Sequence, residues 1–186
     1  LAQFSDSYNF LKAVDDRDGA EAEKYISEPG SVIINTKRDG TGETALHLVV
    51  ARKDDTWLGY LLQKGANPNL ADRKGVSPLM LATQLGFTEG VLRLLKYKAS
   101  VDATNRSGET ALIRAVQLRQ PELVRILLKA GANPDKRDSV AGLSAREYAA
   151  QDGRNSAILA IIERGGQADE PKKSGELDSS GIGEPK

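Results

Sequence analysis

The 186-residue sequence contains no cysteine and a single histidine, His47. Disulfide bonds and cysteine nucleophiles are therefore excluded, and a zinc site, which draws several ligands from Cys and His, is not expected. Aromatic residues make up only 5% of the chain, against 39% hydrophobic residues in total, so the core has to consist mainly of Leu, Ala, Val and Ile. No apolar run approaches the roughly 18 residues that a membrane-spanning helix needs, and we expect no membrane span.

No excess of either charge is present, because 26 basic side chains balance 26 acidic ones. This balance argues against a polyanion-binding tail, and we expect no nucleic-acid partner. The charges are unevenly distributed: residues 72–137 contain 12 basic and 6 acidic side chains, whereas residues 1–71 contain 8 and 11, and residues 138–186 contain 6 and 9. The basic centre is either a binding feature or ordinary scatter of solvated charges.

A short motif recurs along the chain at a nearly constant interval. Its copies are Gly42-Glu43-Thr44-Ala45-Leu46, Gly75-Val76-Ser77-Pro78-Leu79, Gly108-Glu109-Thr110-Ala111-Leu112 and Gly142-Leu143-Ser144-Ala145-Arg146. The first glycines of these copies are separated by 33, 33 and 34 residues. Such a period is typical of stacked repeat units. The glycine predicts a turn in each copy, and Thr44 and Thr110 predict the N-caps of helices.

The motif resembles the ankyrin repeat, which continues after the leucine with His and carries Gly-Ala-x-Pro-Asn/Asp about 18 residues later. Matching segments follow the first three copies: Gly65-Ala66-Asn67-Pro68-Asn69, Lys98-Ala99-Ser100-Val101-Asp102 and Gly131-Ala132-Asn133-Pro134-Asp135. Only His47 keeps the histidine, since Met80 and Ile113 replace it, and Lys98 replaces the closing glycine. Arg114 occupies a partly buried position and is expected to extend its charge outward.

The resemblance implies an all-α fold, an ankyrin-repeat solenoid of stacked helix-turn-helix units with projecting β-hairpin turns. We predict one domain over residues 1–163, with units at about 5–38, 39–71, 72–104, 105–137 and 138–163. Arg146 stands where the other copies have leucine, as suits the outer face of a terminal unit. Residues 165–186 contain only two large aliphatic side chains, and we predict a disordered polar tail there.

The resemblance further implies a protein that is not an enzyme, needs no cofactor or metal, and binds another protein through its turn tips and first-helix face. A catalytic base needs a nucleophile and an orienting group beside it, and the sequence indicates neither for His47. We interpret His47 as a structural residue that hydrogen-bonds its turn to the neighbouring one. Trp57 and Tyr60 are interpreted as packing residues between units.

Positions that differ between the copies are candidates for partner binding. The row after the turn glycine is Glu43, Val76, Glu109 and Leu143, and the row at the end of the first helix is Arg52, Leu85, Leu118 and Asp152. From these rows and the basic turn tips we predict a partner-binding patch at Arg73, Lys74, Val76, Leu85, Arg106, Glu109, Leu118 and Leu143. Leu85 and Leu118 form its apolar centre unless the adjacent loop covers them, and the basic rim attracts an acidic partner surface.

Two other functions remain open: inhibition or stabilisation of an envelope enzyme, for instance one that deals with oxidative stress, and self-association, although we expect a monomer. The sequence begins with Leu1 rather than Met. A signal peptide cleaved near Ala2 would place the protein in a bacterial periplasm or outside the cell, whereas a cloning boundary would be compatible with the cytoplasm. Asn105-Arg106-Ser107 matches a glycosylation acceptor, which matters only in a eukaryotic secretory route.

Overall fold

The computed structural model describes residues 2–27 and 31–167, with side chains from Asp6 onward. Within these residues the chain forms ten α-helices and two short 3₁₀ turns, at Ile33–Asn35 and Gly153–Asn155. The helices are α1 Ala2–Asp15, α2 Gly19–Ile26, α3 Ala45–Ala51, α4 Asp55–Gln63, α5 Pro78–Gln84, α6 Thr88–Lys96, α7 Ala111–Gln117, α8 Pro121–Lys129, α9 Ala145–Gln151 and α10 Ser156–Glu163.

The helices form two layers. The inner helices α1, α3, α5, α7 and α9 stack in chain order, and each packs against the outer helix that follows it. Helices α4, α6, α8 and α10 pack successively in the outer layer. One helix pair falls in each predicted unit, although α1 begins at Ala2, ahead of residue 5. The predicted all-α solenoid is confirmed.

The inner helices α3, α5, α7 and α9 are each only seven residues long. Isolated helices of this length are not stable in water, so tertiary packing has to hold them. In α3 every residue from Ala45 to Val50 is buried, as its nearly continuous apolar sequence predicts. Capping fixes the start of these helices: the Thr110 hydroxyl accepts a hydrogen bond from the Ile113 N–H at 3.2 Å, and Pro78 occupies the first turn of α5.

The outer helices end in left-handed turns at equivalent positions. Gly65 and Gly131, both with φ of 92°, close α4 and α8, and Gly165 with φ of 62° follows α10. Lys98 adopts the same left-handed conformation after α6, with φ of 66°. The replacement of glycine at this position therefore leaves the turn intact, at a cost of about 1–2 kcal/mol for the strained backbone.

The repeated glycines lie in four turn tips, here defined as residues 38–43, 72–76, 105–109 and 138–143. All four have positive φ: 76° at Gly42, 79° at Gly75, 74° at Gly108 and 66° at Gly142. Bridges beside the tips are single in the described residues, at Thr104–Thr110 and Arg137–Ser144. The projecting hairpins are thus tight turns with very short arms rather than extended ribbons.

The predicted tail at 165–186 starts inside the folded part. Gly165 N–H donates to the Ile162 carbonyl at 3.0 Å and Gly166 N–H to the Ile161 carbonyl at 2.9 Å. A side chain on Gly166 would lie 2.9 Å from Leu128 Cβ, so this turn packs closely on α8. The fold extends to Gln167, and the remainder of the predicted tail lies outside the described residues.

Candidate interaction surface

Each central tip is built around an Asp or Asn side chain. Asp72 Oδ1 accepts hydrogen bonds from the N–H groups of Lys74 at 2.8 Å and Val76 at 2.9 Å. Asn105 Oδ1 accepts from Ser107 at 2.9 Å and Glu109 at 3.0 Å. These side chains satisfy the backbone of a tight turn. The half-buried Asn105 also donates its amide to Glu109 Oε2 at 2.7 Å, so the glycosylation match reflects a structural asparagine.

Backbone hydrogen bonds join neighbouring tips into one row. Arg73 N–H donates to the Thr41 carbonyl at 2.9 Å, and Arg106 N–H donates to the Lys74 carbonyl at 3.1 Å. Ser139 N–H repeats the bond to the Ser107 carbonyl at 2.8 Å. Because the same positions bond in each step, the tips are spaced regularly along the stack.

The tip glycines permit this close contact. A Cβ atom added to Gly42 would lie 2.9 Å from both the backbone nitrogen and Cγ of Arg73, and one added to Gly75 would lie 2.9 Å from the Arg106 nitrogen. At Gly142, which has no following tip, nothing lies within 4 Å. The recurring glycine therefore serves two purposes, a left-handed turn and the approach of the next unit.

The three basic residues predicted for the patch lie together on the central tips. Arg73 and Lys74 occupy the second tip and Arg106 the third, and all three side chains are exposed. The other three patch residues of the tips are half-buried: Val76, Glu109 and Leu143. Their backbone carbonyls close the tips by accepting hydrogen bonds from the backbone N–H groups of Asp72, Asn105 and Asp138, at 2.9, 3.0 and 3.0 Å. The basic side chains thus form the accessible part of this row.

The second predicted row lies at the ends of the inner helices. Arg52, Leu85, Leu118 and Asp152 are the C-cap residues of α3, α5, α7 and α9, so the structure places them at equivalent positions. Leu118 is 43% exposed, whereas Leu85 is half-buried and packs against the core. The two leucines therefore differ: Leu118 offers apolar surface to a partner and Leu85 offers little.

The charged ends of the same row are engaged within the chain. Arg52 donates to the Val14 carbonyl at 2.8 Å and pairs with Asp54 at 3.2 Å. Asp152 pairs with Arg119 at 2.7 Å, and the hydrogen bonds from Arg119 and Arg154 lower the pKa of Asp152 to about 2. The carboxylate in the register position after Leu118 is therefore ionised and already paired with an arginine of the same chain.

His47 is buried and uses both ring nitrogens. Nδ1 accepts from the Thr44 N–H at 3.1 Å, and Nε2 lies 2.9 Å from the Val76 carbonyl in the next tip. The backbone donor at Nδ1 fixes the tautomer with the proton on Nε2. Burial lowers the pKa of His47 below its usual value. The ring links two units, which is the structural role that the sequence predicts.

Arg114, on the inner helix α7, contacts the third tip and is absent from the predicted patch. Its Nη1 donates to Gln117 Oε1 at 2.9 Å and lies 3.5 Å from Glu109 Oε1, while its Nε is buried without a hydrogen-bond partner. The charge therefore reaches out from a partly buried position as predicted, but toward Glu109 of its own tip. The repeat register could have identified it, because Arg114 is a charged residue at the position that Leu48 and Leu81 occupy in the preceding units.

Trp57 and Tyr60 form an aromatic corner on the outer helix α4. Their ring centroids are 5.5 Å apart with an interplanar angle of 75°, and both rings pack against the core. Burial and the Glu23 carboxylate raise the pKa of Tyr60 to about 12. The Arg52 guanidinium lies 5.8 Å from the Trp57 ring centroid. These contacts join α2 to α4, in agreement with a packing role.

The described residues offer no arrangement for metal binding or membrane insertion. Across residues 2–27 and 31–167, no group of His, Asp and Glu side chains is placed to hold a metal ion. None of the described helices has both the length and the apolar character needed to cross a bilayer.

Comparison with known proteins gives matches along most of the chain. The family model "Ankyrin repeats (3 copies)" matches residues 12–105, 46–138 and 91–173. An ankyrin repeat-containing protein of Treponema pallidum (strain Nichols) is 35% identical over 113 residues, or 60% of this chain and 38% of that protein.

Two human proteins contain similar segments. Transient receptor potential cation channel subfamily A member 1 is 33% identical over 118 residues, which is 62% of this chain and 10% of that protein. Neurogenic locus notch homolog protein 4 is 40% identical over 95 residues, which is 50% of this chain and 5% of that protein. The matched segments thus span well under half of these relatives.

Proposed function

Because the chain belongs to the ankyrin-repeat family, whose repeats are general protein-interaction modules, we propose that it is a non-enzymatic module that binds a protein partner through its central tips and inner-helix ends. The observation that carries the proposal is the exposure of Leu118, at 43%, on the inner layer that also carries the basic tips. An apolar side chain inside a rim of charged groups matches the layout of protein interfaces, which have an apolar core and a polar rim.

The inner layer provides a continuous surface for such a partner. The tips lead directly into the inner helices, and a seven-residue helix is about 10 Å long, so Leu118 and the third tip lie at opposite ends of α7. A partner segment placed across α7 would contact both ends. The tips provide electrostatic attraction, which raises association rates and specificity, and Leu118 provides apolar contact area.

The test compares partner capture by three proteins: the wild type, Leu118→Lys and Leu92→Lys. Leu92 is a matched control, because it is 51% exposed and lies on the outer helix α6. We expect a specific partner to be retained by the wild type and Leu92→Lys and lost by Leu118→Lys. Leu85→Lys is not suitable, since Leu85 packs against the core and a buried lysine would reduce stability.

Two further measurements make the comparison decisive. Urea unfolding should give all three proteins nearly the same midpoint, because surface substitutions usually change stability by less than about 0.5 kcal/mol. Sizing chromatography at two concentrations separates partner binding from self-association. Equal capture by Leu118→Lys and the wild type would show that the partner does not bind through the inner-helix ends.

A further inference from the structure

Two arginines differ from all others in the described part of the chain. The other guanidinium groups in this part of the chain interact with other groups of the fold, as Arg93 does with Asp55 at 2.5 Å and Arg146 with Asp135 at 2.7 Å. Arg73 and Arg106 have no hydrogen bond or ion pair to their guanidinium groups among residues 2–27 and 31–167. Both are exposed, and they lie 33 positions apart at the same place in adjacent tips.

The backbone holds these two arginines in fixed positions. Each donates its N–H to the preceding tip, at 2.9 Å for Arg73 and 3.1 Å for Arg106. The stem of Arg73 lies over Gly42, where an added Cβ would be 2.9 Å from Cγ. Stacked helices are about 8–10 Å apart, so the two positions are separated by roughly that distance along the stack.

The nearest carboxylates are committed to other groups. Asp72 Oδ1 accepts two backbone N–H groups of its own tip. Glu109 accepts from Asn105 at 2.7 Å and faces Arg114. Lys74, which lies between the two arginines in the row, is also exposed. The Arg73, Lys74 and Arg106 side chains therefore form a basic row that makes no ion pair within the described residues.

The spacing selects the shape of an acidic ligand. A guanidinium group binds a carboxylate through two parallel hydrogen bonds. In a polyproline II segment, residues three apart lie on the same face at about 9.3 Å, whereas same-face residues of a β-strand lie at about 6.7 Å. Of these two extended conformations, polyproline II has the same-face spacing that matches the distance of about 8–10 Å between neighbouring units.

We propose that Arg73 and Arg106 together bind an acidic segment of a protein partner in polyproline II conformation, with carboxylates three residues apart. The segment runs along the stack across the tips, and one carboxylate binds to each arginine. This inference rests on the proposed function and names the chemistry of its partner. A polypeptide is favoured over a nucleic acid, because the tips offer only a few unpaired basic side chains and the whole chain carries no net charge.

The experiment measures binding of short fluorescent peptides with two aspartates in a proline- and serine-rich background. Spacings of one, two and three residues are compared at equal net charge. We expect the three-residue spacing to bind tightest, and Arg73→Gln or Arg106→Gln to weaken it about ten-fold, as for loss of a charge-assisted hydrogen bond. Either substitution should also remove the preference among the spacings, because only one anchor is left.

Lys96→Gln provides the matched control. Lys96 is exposed at the end of the outer helix α6, and its replacement changes the net charge equally. Binding of the three-residue peptide should be unchanged in this variant. Equal affinity for all spacings, an equal loss in Lys96→Gln, or equally strong competition by single-stranded oligothymidylate would overturn the inference in favour of general attraction of anions.

The outcome is separable from that of the proposed function. If Leu118→Lys loses the native partner while the aspartate peptides show no spacing preference, the partner-binding proposal is supported and the arginine site is rejected. If the peptides behave as expected while Leu118→Lys retains the partner, the arginine site is supported and binding through the inner-helix ends is rejected.

Discussion

We expect His47 to make the stability of the fold depend on pH, because only the neutral imidazole can accept the Thr44 N–H hydrogen bond at Nδ1. Protonation of Nδ1 would place a proton against the Thr44 N–H, which already donates to that nitrogen at 3.1 Å. Burial lowers the pKa of His47 in the folded protein, so the unfolded chain binds the proton more tightly. Stability is therefore complete above about pH 6.5, the unfolded value, and is lost as the pH falls through the lowered folded pKa.

The prediction is tested with His47→Gln in urea unfolding at several pH values. The wild type should lose up to about 1.4 kcal/mol per pH unit below pH 6.5 from this one group. Gln does not titrate and can still accept from the Thr44 N–H in a capping box, as Glu147 does for the Ser144 N–H at 2.8 Å in the last unit. An unchanged pH dependence in the variant would show that His47 is not the source.

Gly75 combines two requirements, and a matched pair of variants separates them. Gly75→Ala should be destabilised both by the left-handed backbone, with φ of 79°, and by contact of the new Cβ with Arg106 nitrogen at 2.9 Å. Gly142→Ala has a similar φ of 66° with nothing within 4 Å. We expect Gly75→Ala to lose at least ~1 kcal/mol more, as for an overpacked contact, in urea unfolding. Equal losses would mean that neighbouring tips can separate without cost.

At the scale of the helix, much of the structure could be predicted from local sequence. The hydroxyl of Thr110, the first-turn prolines at 78 and 121, and the closing Gly65 and Gly131 each act through their own neighbours in the chain. Such signals are readable because capping and turn formation depend on a few consecutive residues. The 33-residue period then predicts how the helices stack, because equivalent helices of neighbouring repeat units pack against each other.

The ion pairing and solvent exposure of individual surface residues could not be predicted from local sequence. The sequence does not distinguish Arg73 from Arg93, but Arg93 Nε donates to Asp55 Oδ1 at 2.6 Å on the preceding outer helix, whereas Arg73 pairs with no acid among residues 2–27 and 31–167. Leu85 and Leu118 share a register position, but Leu118 is followed in register by the charged Asp152, whereas Leu85 is followed by a leucine. Pairing and exposure depend on residues about one period away, in the neighbouring unit.

At the scale of the whole molecule, each unit is bonded to the next by the loops as well as by helices. Asn69 Oδ1 accepts from the Ser100 N–H at 2.7 Å, and Asp102 Oδ1 accepts from the Asn133 N–H at 2.9 Å. Asn35 Oδ1 accepts from the Asn67 N–H at 2.8 Å in the same way. Stability in such a stack is approximately the sum of unit and nearest-neighbour terms. The loss of a terminal unit should therefore affect the stack through one interface.

The last unit should act as a cap on the stack, and two truncated chains test this. The unit buries apolar side chains of α9 and α10 against α7 and α8; they are Ala145, Ala149, Ile158, Ile161 and Ile162. A chain ending at residue 137 exposes the apolar faces of α7 and α8, so its urea midpoint should fall. Its m-value should fall by roughly a fifth, in proportion to the surface that unfolding exposes.

A chain ending at residue 167 is the matched control for this truncation. It keeps every contact in the described part, including the packing of Gly166 against Leu128, so its unfolding curve should match that of the full chain. A chain ending at 137 that retained the midpoint of the control would show that the interface between the fourth and fifth units contributes little. The loss is expected to be cooperative, because α9 and α10 each contact the unit before them and neither is long enough to be stable alone.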